Sequence, residues 1–157
     1  MTEMVRIDGT FGRWDELLAL ILSSFAYMDA VIDPPSSAHR LTLASLARKA
    51  LDEIAFVAME DNRIVGCIFL KPEADCLYVG KLAVAPARQG GGIGRRLLAI
   101  AEDIARQRQL PELRLETRME LTGNHSTFGR WGFLKTAEGS HPGFERATFI
   151  EMRKNLA

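Results

Sequence analysis

The residues Gln89-Gly90-Gly91-Gly92-Ile93-Gly94-Arg95-Arg96 are the part of the chain best suited by type and spacing to hold a charged ligand. Glycine takes positive φ without steric cost and lets bare backbone approach a ligand. The first turn of a helix adds unpaired N–H groups and the positive end of its dipole. These glycines lie between an apolar run, Leu77 to Val84, and an amphipathic pattern, Ile93 to Arg106, so they sit where a strand hands over to a helix. Such a turn can cradle a diphosphate. A glycine-rich turn alone is equally a plain connector, and it is the flanking strand and helix that favour the cradle.

Two familiar glycine patterns do not fit. A nucleotide P-loop ends in Gly-Lys-Ser/Thr, where this chain has Gly94-Arg95-Arg96. The dinucleotide fingerprint G-x-G-x-x-G would start at Gly90 but meets Arg95 where its last glycine belongs, and no first Rossmann strand opens the chain. What fits is Q/R-x-x-G-x-G/A, with Gln89, Gly92 and Gly94 in the defining places after Leu82-Ala83-Val84-Ala85-Pro86. Here the chain resembles the acetyl-CoA-binding motif of the GNAT superfamily of N-acetyltransferases. The resemblance covers residues 52 to 154, because a strand pair precedes the motif and a helix-strand unit containing Gly132-Phe133 follows it.

The elements that must position this turn are legible from periodicity. Trp14, Leu17, Leu18, Ile21, Leu22 and Phe25 make the stripe of a first helix. Pro34-Pro35 breaks the chain, and Ser36 or Ser37 is expected to cap a second helix with stripe Leu43, Leu46, Ala47, Ala50 and Leu51. Ile54 to Met59 and Arg63 to Leu70 flank Glu60-Asp61-Asn62, a hairpin signal, and Leu77 to Val84 continues the meander. Ile93, Leu97, Ile100, Ala101 and Ile104 keep helical period up to Pro111, and Leu113, Leu115 and Thr117 alternate with charged residues as a strand. This βαβ unit implies two parallel strands with a right-handed crossover and the glycine turn at the carboxyl end of the first. Asn124 is expected to cap a short helix that Gly132 ends, and Phe133 to Ala137 and Thr148 to Arg153 complete the sheet around a turn-rich loop, residues 138 to 146.

The fold this implies is α/β: a single GNAT-type domain over residues 1 to 157, with a mixed, mostly antiparallel sheet, a central parallel pair and flanking helices. The resemblance further implies that the two parallel strands splay and admit the pantetheine arm, pairing it with the backbone of Leu82, Ala83 and Val84. The turn from Gln89 through Gly90, Gly91, Gly92, Ile93, Gly94 and Arg95 would hold the pyrophosphate, with the guanidinium of Arg95 or Arg96 beside it or simply solvated. In many members an asparagine and a tyrosine on the short helix touch the cofactor, and the tyrosine protonates the departing thiolate. Phe128 holds the tyrosine position here and cannot give a proton, and Asn124, the cofactor-binding asparagine candidate, sits closer to Gly132 than the usual asparagine.

An alkyl amine with a pKa of ~10.4 must lose a proton before it attacks a thioester, so a base or a water chain is required as well as an acid near the sulfur. Tyr78, a few residues before Leu82, and Glu116, near the end of the adjacent strand, are the catalytic candidates. Their plain readings are a strand aromatic and a solvent-side partner of Arg114 or Arg118. Either water protonates the thiolate, or Tyr78 or His125 supplies the missing acid, or the cofactor is bound without transfer. The segment between the first two helices and the last loop border the acceptor pocket in the family, which brings in Asp29, Asp33 and His141 as residues that meet an acceptor or merely line solvated loops, while His39 falls on the polar side of the second helix pattern.

Composition bounds the rest. The 157 residues, 47% hydrophobic, can bury a core without staples, and Lys+Arg and Asp+Glu both number 20. No basic tract points to nucleic acid, no apolar run approaches a membrane span, and residues 1 to 12 lack a signal-peptide pattern, so the cytoplasm is the expected compartment. Cys67 and Cys76 sit in apolar runs and read as core residues, with no metal site expected. The expected activity is transfer of an acetyl group from acetyl-CoA directly to the primary amine of a small molecule. The alternatives are a protein N-terminus or lysine as acceptor, or a non-catalytic acyl-CoA sensor, and a homodimer is the assembly common in the family.

Overall fold

Each run with strand periodicity pairs with its neighbour in sequence until the glycine turn interrupts the order. The computed structural model describes residues 2–157. Its elements are β1 (Glu3–Arg6), α1 (Trp14–Phe25), α2 (Leu43–Asp52), β2 (Ile54–Glu60), β3 (Arg63–Pro72), β4 (Leu77–Val84), α3 (Ile93–Gln107), β5 (Glu112–Arg118), α4 (Thr122–Arg130), β6 (Leu134–Gly139) and β7 (Phe149–Asn155). One seven-stranded sheet runs in the order β1-β2-β3-β4-β5-β7-β6. Only β4 and β5 pair in parallel, as the βαβ reading requires. The β2–β3 turn is closed by Asp61 and Asn62, both at positive φ, which suits the twist of a tight hairpin.

The two faces of the sheet bury separate clusters. One gathers Val65, Ile68, Leu77, Val79, Leu113 and Leu115 under the Ile93, Leu97 and Ala101 stripe of α3. The other packs Val57, Cys67, Phe69 and Ala83 against Leu17 and Ile21 of α1 and Leu46 and Ala50 of α2. Both cysteines are buried, and burial pushes each thiol up to about 12, so they stay protonated core residues. No helix among the described residues is long and apolar enough to cross a membrane.

Two local readings need correction, and one strand carries no signal. The α2 cap is Thr42, whose side chain and that of Ser45 form a reciprocal capping box. Ser36 instead caps the single 3-10 turn Ser37–Arg40, because the residues three places after Ser36 and Ser37 are His39 and Arg40, which cannot close such a box. Asn124 lies inside α4, whose N-cap is Leu121 without a side-chain bond. The edge strand β1 has no sequence signal, since its four residues are largely exposed and it exists only through pairing with β2.

Candidate active site

The parallel pair is the source of the site. β4 and β5 are in register only at Leu77↔Leu113 and Tyr78↔Arg114, whereas β5 stays paired with β7 along its whole length. From Val79 onward β4 therefore has no strand on its β5 side, and its backbone groups there face a cleft. A cavity of about 530 Å³ opens where the strands part. Its walls are Tyr78 to Leu82 on β4, Leu115 to Arg118 on β5, Asn124 and Phe128 on α4, the connection between α1 and α2, and His141.

A bulge shapes the β4 wall. Cys67 faces Ala83 but Phe69 faces Gly80, so three steps of β4 oppose two of β3, with Lys81 at φ 45°. The extra residue inverts the alternation: Leu77 and Val79 belong to the α3 cluster, whereas Ala83 belongs to the α1–α2 cluster. The Lys81 carbonyl, out of the ladder, accepts a 3.3 Å hydrogen bond from the Cys67 thiol.

Beyond the cleft, the chain passes through Pro86–Arg88, anchored by the Arg88–Glu60 ion pair at 2.7 Å, into the glycine turn. Gly90 (φ 82°) and Gly92 (φ 89°) take left-handed conformations, with open space where a Cβ would be. Gly92 is the N-cap of α3 and offers no side chain to its first N–H groups, and no acidic residue stands in that turn. That is the opposite of α2, with its complete capping box. The Gln89 amide turns inward and donates to the Val84 carbonyl at 3.1 Å, pinning the turn to the strand end. Arg95 is exposed, and Arg96 reaches the Thr2 carbonyl at 3.2 Å. An uncapped helix start under left-handed glycines, at the mouth of a strand edge without a partner, fits a diphosphate followed by an amide-bearing arm.

Of the side chains singled out in the sequence, Tyr78, Glu116, Leu82, Asn124 and Phe128 all line the cavity. The Arg114 guanidinium lies 4.4 Å from the Tyr78 ring centroid and 3.0 Å from the Glu116 carboxylate, joining the two catalytic candidates. Burial, helped by the Glu116 charge, pushes the Tyr78 phenol up to about 12, so at neutral pH it donates and cannot act as a base. Asn124 bonds the Tyr27 hydroxyl at 3.3 Å. Phe128 packs edge-on against Trp131 and Phe133. His125 turns away, its Nε2 on the Arg118 carbonyl at 2.8 Å, and does not line the cavity. Asp29 is held by His39 and Asp33 lies beside Arg146, and neither reaches the wall.

The sequence reading missed three cations on the same wall: Arg40, Lys81 and Arg118. Lys81 donates to Ser37 Oγ at 2.8 Å, and burial, with Lys49 and Arg40 adding, pulls its pKa down to about 8. Arg118 donates to the carbonyls of Pro34 at 2.6 Å and Pro35 at 3.0 Å. His141 is fixed by Thr148, whose hydroxyl accepts its backbone N–H at 2.8 Å, and burial lowers its pKa so that the neutral ring prevails at pH 7.

Known proteins resemble this chain in sequence and in fold. Residues 14–133 match the acetyltransferase (GNAT) family. The chain is 37% identical over 103 residues to an IAA acetyltransferase of Azospirillum brasilense, covering 64% of this chain and 65% of that protein. It is 27% identical over 88 residues to an N-alpha-acetyltransferase 30 of Schizosaccharomyces pombe, covering 53% and 59%. The chain thus spans less than two thirds of the length of either curated relative. Its fold matches the PaiA N-acetyltransferase of Thermoplasma acidophilum in complex with coenzyme A, with a TM-score of 0.80 at 20% identity over 99% of both chains.

Proposed function

Because the chain belongs to the acetyltransferase (GNAT) family, whose co-substrate is acetyl-CoA, we propose that it transfers the acetyl group directly to the primary amine of a small molecule. The observation that carries this reading is the cleft between β4 and β5, open from Val79 onward, on the strand that leads into the uncapped start of α3. In this reading Gly90 to Arg95 hold the pyrophosphate through backbone N–H groups, and the free edge of β4 from Leu82 to Val84 pairs with the pantetheine arm. Gln89 keeps the turn on the strand end. When bound, acetyl-CoA supplies an acyl carbon that exchanges its bond to sulfur for one to the amine nitrogen; starting from the ammonium, two protons leave the nitrogen, one released to the medium and one balancing the proton that arrives at the sulfur.

The protein's own groups then divide the proton work. Glu116 accepts from the incoming ammonium, passes its first proton to the medium through water and takes the second as the carbon–nitrogen bond forms, Arg114 orienting the carboxylate. Tyr78 holds its proton at neutral pH and is the donor on the cavity wall, in place of the phenol that Phe128 lacks. The bulge at Lys81 frees backbone N–H groups to face developing negative charge.

Two measurements test the reading. Saturating acetyl-CoA raises the melting temperature, since a ligand bound only by the folded state stabilises it. Release of free CoA thiol then depends on an amine from a panel of small primary amines. Thermal stabilisation without release from any amine would make the chain an acyl-CoA sensor, and mass gain on peptides alone would make the acceptor a protein.

A further inference from the structure

We infer that the acceptor carries a carboxylate as well as its amine, and that Arg118, Arg40 and Lys81 receive that carboxylate. The inference rests on the small-amine reading above and names the substrate class.

Its basis is a local excess of positive charge. Arg13, Arg88, Arg114, Arg153 and Lys154 all sit on carboxylates, at Glu16, Glu60, Glu73, Glu112 and Glu102. Among the described residues, none of the three cavity cations has a carboxylate within salt-bridge distance. Arg118 is half-buried and its donors go to the Pro34 and Pro35 carbonyls, which fix the guanidinium without cancelling its charge. Lys81 is half-buried and bonded only to a hydroxyl. Burial lowers the pKa of both; at Lys81 the charges of Lys49 and then Arg40 add to it, and at Arg118 the charge of Arg40 adds to it while those of Glu120 and Asp33 oppose it from a distance. An exposed cation needs no partner, but a half-buried one is costly without an opposing charge.

The acids nearby are already committed. Among the described residues Glu116 is the one carboxylate on the wall, and Arg114 and the incoming amine share it. Asp33 and Glu120 stand behind the wall on Arg146, at 3.6 and 3.9 Å. The pyrophosphate of the co-substrate belongs at the glycine turn, past the end of β4, so it does not answer these charges.

The positions also suit a zwitterion. Glu116 and Arg118 alternate with buried Leu115 and Thr117, so they share one face of β5, about 7 Å apart along the strand. An amine drawn to Glu116 and Tyr78 places a nearby carboxylate at Arg118, whose planar fork matches it. Met28, Ile32, Leu121 and Phe149 complete the cavity and leave room for an apolar body between the charges. A diamine would instead carry its second positive charge toward three cations.

Matched acceptors test this. Phenylalanine and 4-aminobutanoate are compared with their carboxamides and with 1,4-diaminobutane, reading kcat/KM from CoA thiol release. The carboxylates are expected to lead by about tenfold or more. Arg40→Gln, an exposed position, should cut that lead below about threefold while the KM for acetyl-CoA stays unchanged. Equal or better turnover of the carboxamides or the diamine overturns the inference. A second readout needs no turnover: N-acetylphenylalanine should raise the melting temperature of the CoA-loaded protein, its carboxamide should not, and Arg40→Gln should abolish the difference. A shift that ignores the carboxylate also overturns it. Turnover without carboxylate preference sinks this inference alone, whereas a carboxylate-specific shift without turnover of any amine sinks the transfer reading and leaves the anion site standing.

Discussion

Lys81 Nζ donates to Ser37 Oγ at 2.8 Å, joining the left-handed residue of the β4 bulge to the connection between α1 and α2. Burial holds this ammonium near pKa 8, below its ordinary 10.5. A base with a lowered folded-state pKa binds fewer protons folded than unfolded between those two values. The penalty for its charge is therefore fully present below pH 8, and its contribution to stability rises as pH climbs from about 8 toward 10.5. Cys67 and Cys76, held near 12, give an opposite slope above about pH 9 in any variant that keeps them. Urea unfolding of wild type and Lys81→Met at matched pH isolates the lysine: wild type should gain on the variant as pH rises from 8 to 10. A flat difference would show that the ammonium is not desolvated.

That residue also marks the limit of what the chain discloses. In a regular strand Lys81 would share a face with Leu77 and Val79 and point into the α3 cluster, a place no lysine tolerates. Only the bulge, set by pairing with β3, brings it to the cavity wall, and no period-two reading of Leu77 to Val84 contains that shift. The glycine turn was legible because its chemistry is local: positive φ and an uncapped helix start need only neighbouring residues. The helices and most strands were legible for the same reason. Arg40 and Arg118 were not, since they converge from a 3-10 turn and a strand far apart in sequence, and neither carries a signal of its own.

Gly92→Ala separates backbone conformation from contact at the turn. Gly92 has φ 89° and open space around a built Cβ, so the substitution clashes with nothing and strains only the backbone. We expect a loss of about 1–2 kcal/mol in urea unfolding and a KM for acetyl-CoA raised about tenfold. Gly12→Ala is the control. A Cβ there meets nothing within 4 Å, at a residue without positive φ before α1 and outside the turn, so stability should hold and acetyl-CoA binding should change little.

Gly66→Ala acts from beneath. A Cβ on this β3 residue would meet Ile93 Cγ2 at 3.0 Å, Leu97 Cδ1 at 3.2 Å and the Ala83 carbonyl at 3.2 Å. Two of those atoms are side-chain methyls in the first turns of α3 and one is backbone of β4, so relief takes shifts of a few tenths of an ångström that press the helix start away from the strand. Overpacking of this kind costs about 1–3 kcal/mol. Both the melting temperature and its increase on adding acetyl-CoA should fall. A lower melting temperature with an unchanged ligand-induced increase would show that the α3 start does not bind the co-substrate.

The acid that serves the thiolate can be located by exchanging two aromatic residues. Tyr78, with its proton held to about pH 12, and Phe128, with no proton to give, both line the cavity. Removing a placed proton donor typically slows a step by 10²-fold or more. Tyr78→Phe should therefore lower kcat by about 10²-fold with little change in the KM for acetyl-CoA, because its Arg114 stacking face is kept. Phe128→Tyr adds a hydroxyl at a ring otherwise set by edge contacts with Trp131 and Phe133 at 5.8 Å. In wild type it should raise kcat by less than about threefold, and in the Tyr78→Phe background it should restore most of the loss. A gain of about tenfold or more in wild type would mean that the thiolate leaves without a placed acid, and Tyr78 would then serve the amine side of the cavity instead.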